Sequence, residues 1–110
     1  MNQAQNFNLW IEILKKLQQT TPQEWYVEDV KNCVFTLTKD KVKIAIQFDL
    51  NQYYNDPTQK PVIIITYQGM PLTLDKGNSV ASNYLQELST KLFLFFNDTT
   101  QLLQEIISII

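Results

Sequence analysis

The sequence predicts an α+β fold, in which an N-terminal helix and two C-terminal helices pack mainly on one side of an antiparallel meander sheet of four to five strands. Three observations carry this prediction. Apolar residues recur with helical spacing near both ends of the chain, and they alternate with polar residues, as in a strand, in its middle. The length of 110 residues suits one domain, residues 1–110. The predicted order is α-β-β-β-β(-β)-α-α.

The first helix is predicted over residues 6–19. Its apolar residues fill an arc of about 200° on a helical wheel. They are Phe7, Leu9, Trp10, Ile11, Ile13, Leu14 and Leu17. Because one sheet face does not need so wide a stripe, we expect two neighbouring elements or another chain to cover this helix. Pro22 marks the end of the helix.

The middle of the chain predicts the sheet. Strands are expected over residues 25–30, 34–38, 41–50 and 62–67, with a turn over 68–71 and a short final strand over 72–74. The third strand alternates most clearly, and its apolar side carries Val42, Ile44, Ile46, Phe48 and Leu50. The fourth strand is apolar on both sides, which predicts an interior position covered on each face. Residues 51–60 are predicted to form a polar loop.

Two helices are predicted after the sheet. Asn78 or Ser79 is expected to cap a long helix, whose apolar arc spans about 160°. This arc contains Val80, Ala81, Tyr84, Leu85, Leu88, Leu92, Phe95 and Phe96. Asp98 and Gln101 have the spacing of a capping box, so a second helix is expected to begin there and to end on two isoleucines.

Composition excludes several function classes. The chain has no His, no Arg and a single Cys, Cys33, so it contains neither a catalytic Ser–His–Asp or Cys–His arrangement nor an intrachain disulfide. A Cys/His zinc site is excluded for the same reason. Phosphate-binding glycine motifs are absent. We therefore expect no catalytic residues, no cofactor and no metal, and we interpret Cys33 as a small buried hydrophobe.

The net charge of −2 disfavours nucleic acid as a partner, because duplex binding needs a concentrated positive face. Lys39, Lys41 and Lys43 lie on one predicted hairpin, and Lys31 lies near it in sequence. They could contact an anion or RNA, although a solvated strand face explains them better. A modest acidic group is formed by Glu24, Glu28 and Asp29, with Glu12 near it. Such a group could face a basic partner, although a solvated surface is again the simpler interpretation.

Two segments are candidate protein interfaces. Tyr53, Tyr54 and Asp56 lie in the predicted polar loop, where aromatic side chains beside hydrogen-bond acceptors are typical of binding surfaces. The alternative is that one of the tyrosines packs on the sheet edge. The second segment combines Phe93 and Leu94, which fall outside the apolar arc of the long helix, with Ile109 and Ile110. Here the alternative is that the last helix folds back and covers them.

These observations favour a non-enzymatic protein-binding module. The leading hypothesis is a small acidic inhibitor of the immunity, antitoxin or anti-defence type, which masks a surface of a partner protein. A second hypothesis is a dimeric, chaperone-like adaptor that holds an extended client along its sheet. Nucleic-acid binding through the Lys39–Lys43 hairpin and a carboxylate-only enzyme are further alternatives. We expect a homodimer or a hetero-complex. The polar N-terminus and the short apolar runs predict a soluble, cytoplasmic protein that does not enter a membrane.

Overall fold

The structure is a computed structural model and describes residues 3–74, 79–98 and 100–110. Its helices are α1 (Gln3–Gln18), α2 (Leu50–Asn55), α3 (Ser79–Phe96) and α4 (Thr100–Ile109), and a 3₁₀ turn spans Pro22–Glu24. Its strands are β1 (Tyr26–Asp29), β2 (Val34–Lys39), β3 (Val42–Gln47), β4 (Val62–Tyr67) and β5 (Met70–Thr73). The predicted α+β fold class is confirmed, with one short helix added between the third and fourth strands.

The sheet is a five-stranded antiparallel meander with the order β1-β2-β3-β4-β5. Gln68 and Gly69, with φ of 52° and 79°, connect β4 to β5. Two successive residues at positive φ are typical of the two-residue turn whose twist matches that of paired strands. The turn is shorter than predicted, because Met70 and Pro71 already pair with Tyr67 and Thr66.

Helices α1 and α3 cover one face of the sheet. Alternation along β2, β3 and β4 turns Phe35, Ile46 and Ile63 toward these helices, where all three are buried. The helices supply the other half of the same core: Leu14, Leu17, Ala81, Leu85, Leu88, Leu92 and Phe93. Burial of such side chains is the main stabilising contribution to a domain of this size.

Polar contacts hold α1 against α3. Gln18 Nε2 donates to the carbonyl of Tyr84 at 3.1 Å, and Lys91 Nζ donates to the carbonyl of Thr20 at 3.0 Å. Trp25 follows the 3₁₀ turn, and its indole Nε1 donates to Thr20 Oγ1 at 2.8 Å. These bonds satisfy groups at the end of α1, which therefore ends against α3 rather than in solvent.

The expectation that β4 is covered on both faces is wrong. Ile63 and Ile65 are buried, whereas Ile64 is 39% exposed on the opposite face. The physical reason is that α1 and α3 lie on the same side of the sheet as Ile63 and Ile65. The position of β4 between β3 and β5 was predicted correctly.

Two boundary predictions also need correction. The third strand ends at Gln47, and residues 50–55 form α2 instead of a loop. Asp49 is the N-cap of α2, and its carboxylate accepts hydrogen bonds from the backbone N–H groups of Asn51 and Gln52. The chain therefore leaves the strand and enters a helix at this residue. Cys33 lies in the β1–β2 turn at φ 54° and is only half-buried, so it is not a core residue of a strand.

Some predictions on the C-terminal helices lie partly outside the described residues. Helix α3 begins at Ser79, while residues 75–78, including the proposed cap Asn78, are not described. The side chain of Gln101 is not described either, so the capping box stays a prediction. Asp98 does hold the start of α4, since its Oδ1 accepts from the backbone N–H of Thr100 at 2.9 Å.

Candidate functional site

The most unusual feature of the molecule is the exposure of α4. Every side chain that the structure describes from Thr100 to Ile110 is exposed, including five large apolar ones. Ile107 is 72% exposed and Ile110 is 95% exposed. The sequence of α4 is amphipathic, with Leu103, Ile106, Ile107 and Ile110 at the i, i+3, i+4 and i+7 positions of a helix stripe that usually faces a core.

The last turn of α3 adds two exposed apolar side chains next to α4 in the chain, Leu94 and Phe95. We use the name α3–α4 apolar surface for this set: Leu94, Phe95, Leu103, Ile106, Ile107, Ile109 and Ile110. Each of these seven side chains is at least 41% exposed. Large exposed apolar patches on a monomer usually mark interaction sites.

Three of the four residues predicted for this segment belong to the surface: Leu94, Ile109 and Ile110. Phe93 does not, because it is 6% exposed and its ring meets that of Phe48 edge-on at a centroid distance of 6.4 Å. The described side chains of α4, Thr100 and residues 103–110, are all exposed and do not account for the burial of Phe93. Phe48 follows the end of β3 and packs against the last turns of α3. Phe93 is buried at this contact, whereas Phe95 is exposed.

Sequence reasoning missed Phe95, Leu103, Ile106 and Ile107 as parts of this surface. Phe95 was assigned to the buried arc of α3, because a wheel of constant period ignores where the last turn meets the sheet. The three α4 residues could have been found from the sequence, because Leu103, Ile106 and Ile107 lie on the same helical stripe as the predicted interface residue Ile110.

The other predicted interface segment is largely used by the fold. Tyr53 is half-buried against the core, with its ring 5.7 Å from that of Phe48. Asp56 forms a turn in which its Oδ1 accepts from the Thr58 hydroxyl at 2.6 Å and from the Thr58 backbone N–H at 3.1 Å. These bonds lower the pKa of Asp56. Tyr54 alone of the three presents a large aromatic surface, at 73% exposure.

The lysine hairpin and the acidic group prove to be one mixed surface. Lys43 Nζ lies 2.7 Å from Glu28 Oε1, and Lys39 Nζ lies 3.6 Å from Glu24 Oε1. In each ion pair, a lysine that was a candidate for binding an anion neutralises a glutamate that was a candidate for binding a basic partner. The two ion pairs lower the net charge of both groups, which weakens electrostatic steering of a charged partner.

No chemistry-bearing cluster competes with this surface in the described part of the chain. Residues 3–74, 79–98 and 100–110 contain no group of three or more His, Cys, Asp or Glu side chains that could hold a metal ion. Within the same ranges, no helix combines the length and the apolar character needed to cross a bilayer. Burial, with Asp49 and Asp29 nearby, raises the pKa of the Cys33 thiol. A raised pKa is the opposite of what a nucleophilic cysteine requires.

Comparisons with family models, curated proteins and solved structures give no match for this chain.

Proposed function

We propose that this chain is a non-enzymatic protein-binding module that docks on another protein through the α3–α4 apolar surface. The observation that carries the proposal is that every described side chain of the amphipathic helix α4, from Leu103 to Ile110, is exposed, so this part of its apolar stripe meets no core. Within this class we favour an inhibitor of the immunity, antitoxin or anti-defence type, which acts by covering a functional surface of its partner.

The low charge of the α3–α4 apolar surface indicates what kind of partner it fits. Glu105 is the one charged residue of α4, and residues 92–97 at the end of α3 carry no charge. Recognition therefore relies on apolar burial and shape, as when an amphipathic helix fills a groove. The expected partner offers an apolar groove that accepts about three helical turns, and the complex is expected to depend little on salt.

The sheet edges argue against a client that binds by adding a strand. Pro71 is the second residue after the two-residue turn and pairs with Thr66. At this position of an antiparallel pair the backbone nitrogen faces away from the neighbouring strand, β4. Since proline has no N–H, the outer edge of β5 lacks a donor there. At the opposite edge, the pairing of β1 with β2 shifts register between Val27 and Asp29. Such irregularities are common devices against edge pairing.

The experiment places a photo-crosslinking amino acid at Ile107 in cells that carry this gene, and at Gln23 as an exposed control. Mass spectrometry identifies a protein joined at position 107 but not at position 23. The partner is then purified and its Kd measured. We expect Leu103→Ser/Ile107→Ser to weaken binding about 30-fold to 1,000-fold, because exposed apolar anchors contribute about 1–2 kcal/mol each.

The matched control is Val30→Ser, which removes an even more exposed aliphatic side chain from the β1–β2 turn. This variant should bind normally. If the double serine variant binds the identified partner as tightly as the unchanged protein, the proposed docking surface is incorrect.

A homodimer is the second candidate, and the nearly uncharged stripe of α4 favours it. Two copies can pair their Leu103, Ile106, Ile107 and Ile110 side chains without bringing like charges together, as a two-fold interface requires. Light scattering coupled to size exclusion distinguishes the candidates. A dimer that becomes a monomer on Leu103→Ser/Ile107→Ser supports self-association, whereas a monomer at all concentrations assigns the surface to a different protein.

A further inference from the structure

A cavity of about 350 Å³ lies away from the α3–α4 apolar surface, where the start of β4 and the end of β5 meet the first turns of α3. Cavities of about 300–1,000 Å³ are typical of small-molecule sites. The residues that line it come from four segments of the chain: Tyr53, Lys60, Pro61, Val62, Ile63, Thr73, Leu74, Ser82, Asn83, Leu85 and Gln86. None of them belongs to the proposed docking surface.

The cavity has an apolar side and a polar side. Ile63 and Leu85 are buried core residues that expose only their edges to it. Ser82, Asn83 and Gln86 line it from α3. The amide nitrogen of Gln86 donates to Thr90 Oγ1 at 3.2 Å, which leaves the amide oxygen of Gln86 as an acceptor.

Lys60 gives the cavity its charge. Among the described residues, Lys39 and Lys43 form ion pairs, whereas the Lys60 ammonium has no carboxylate within salt-bridge distance. The backbone N–H of Lys60 is held by the carbonyl of Thr58 at 2.9 Å, which fixes the start of its side chain at the cavity. A cation that no described carboxylate neutralises, beside an apolar cavity, complements a ligand with one anionic end and an apolar body.

We propose that this cavity binds a small organic acid of about ten non-hydrogen atoms, with an anionic end and an apolar body. The carboxylate lies at Lys60, where Ser82 and Asn83 supply hydrogen-bond donors. The apolar body lies over Ile63, Leu74 and Leu85. This inference is independent of the proposed protein docking, because the two sites share no residue.

Octanoate is the probe, and octanol is the control for its charge. Chemical shifts of backbone amides are followed in the full chain during titration. We expect octanoate to shift Ile63, Leu74 and Leu85 with a Kd of order 1 mM, as suits a ligand of this size, and octanol to bind several-fold more weakly. Added salt should weaken octanoate binding and leave octanol binding unchanged.

Three variants complete the test. Lys60→Gln should weaken octanoate about 3-fold to 10-fold without altering octanol, while Lys16→Gln, on the exposed side of α1, should alter neither. Asn83→Trp introduces bulk from an exposed position and should weaken both probes at least about 10-fold. The proposal is overturned if the shifts are confined to α4, if octanol binds as tightly as octanoate, or if Lys60→Gln changes nothing.

Discussion

Two hydroxyl groups of the core show how single residues limit stability. Thr36 and Ser89 are fully buried, and neither hydroxyl oxygen has a hydrogen-bond partner in the described structure. A buried hydroxyl without a partner loses its bonds to water and regains nothing. Thr36 lies between Tyr26 and Ala45 on the sheet face that α1 and α3 leave open.

Replacing Thr36 by Val should therefore stabilise the protein. We expect the free energy of unfolding to rise by about 1 kcal/mol, because a methyl group takes the place of an unsatisfied hydroxyl. Urea denaturation followed by tryptophan fluorescence measures the change. Thr38→Val is the matched control on the same strand and face, since Thr38 is exposed and should change stability by less than about 0.5 kcal/mol. A clear loss of stability in Thr36→Val would show that the hydroxyl has a partner.

The environment of Cys33 leads to a pH-dependent prediction. Burial raises the pKa of its thiol, and the carboxylates of Asp49 and Asp29 raise it further by disfavouring a nearby thiolate. Alkylation by iodoacetamide, which needs the thiolate, should therefore reach its half-maximal rate at a higher pH than free cysteine does. Asp49→Asn should move this midpoint downward, while Asn keeps the cap on α2.

Mass spectrometry of the alkylated chain measures that rate. Asp56→Asn is a suitable control, because Asp56 accepts hydrogen bonds in a similar turn but does not act on the thiol. A midpoint that Asp49→Asn leaves in place would remove Asp49 as a cause.

The elements of the fold were largely predictable, for reasons visible in β3 and α2. Alternation along residues 42–47 has the period of a strand, so the strand and its buried face followed from the sequence. The same alternation continues through Phe48 and Leu50, which concealed the start of α2. Asp49 was the available signal, because an Asp before a short run of helix-compatible residues is a frequent N-cap.

Helix α3 provides a direct test of which helix face is buried. Leu92 is fully buried and Leu94 is 56% exposed, two residues apart on the same helix. Leu92→Ala should lower the free energy of unfolding by about 2–5 kcal/mol, because it leaves a cavity in the core. Leu94→Ala should lower it by less than about 0.5 kcal/mol. Equal effects in urea denaturation would mean that α4 or another element covers Leu94.

At the scale of the whole molecule, the exposure of α4 agrees with an extended shape. The Cα radius of gyration is 15.6 Å and the principal extents are 62 × 34 × 23 Å. A compact chain of this length has a radius of gyration of about 13 Å. Small-angle X-ray scattering of the monomeric species should give the larger value. A chain that ends at residue 98 should scatter as a compact particle and unfold with nearly unchanged free energy, since the described α4 side chains bury little surface.

That measurement also bears on the candidate site. If the full chain scatters with a radius near 13 Å, α4 lies back on the domain and its apolar stripe is not available for docking. If the larger radius is found and falls on truncation, the stripe is free in solution.

The sequence by itself determined the order of the strands and of the three long helices, the meander topology and the surplus of apolar residues at the C-terminal end. These properties follow from local periodicity and from short connections, which the chain carries in its own spacing. Tertiary structure decided which members of each apolar set are buried. Phe93 lies inside and Phe95 outside because of where α3 meets Phe48, and Ile64 is left open because both covering helices lie on the other face of the sheet. Burial depends on what stands opposite a residue, and no local pattern records that.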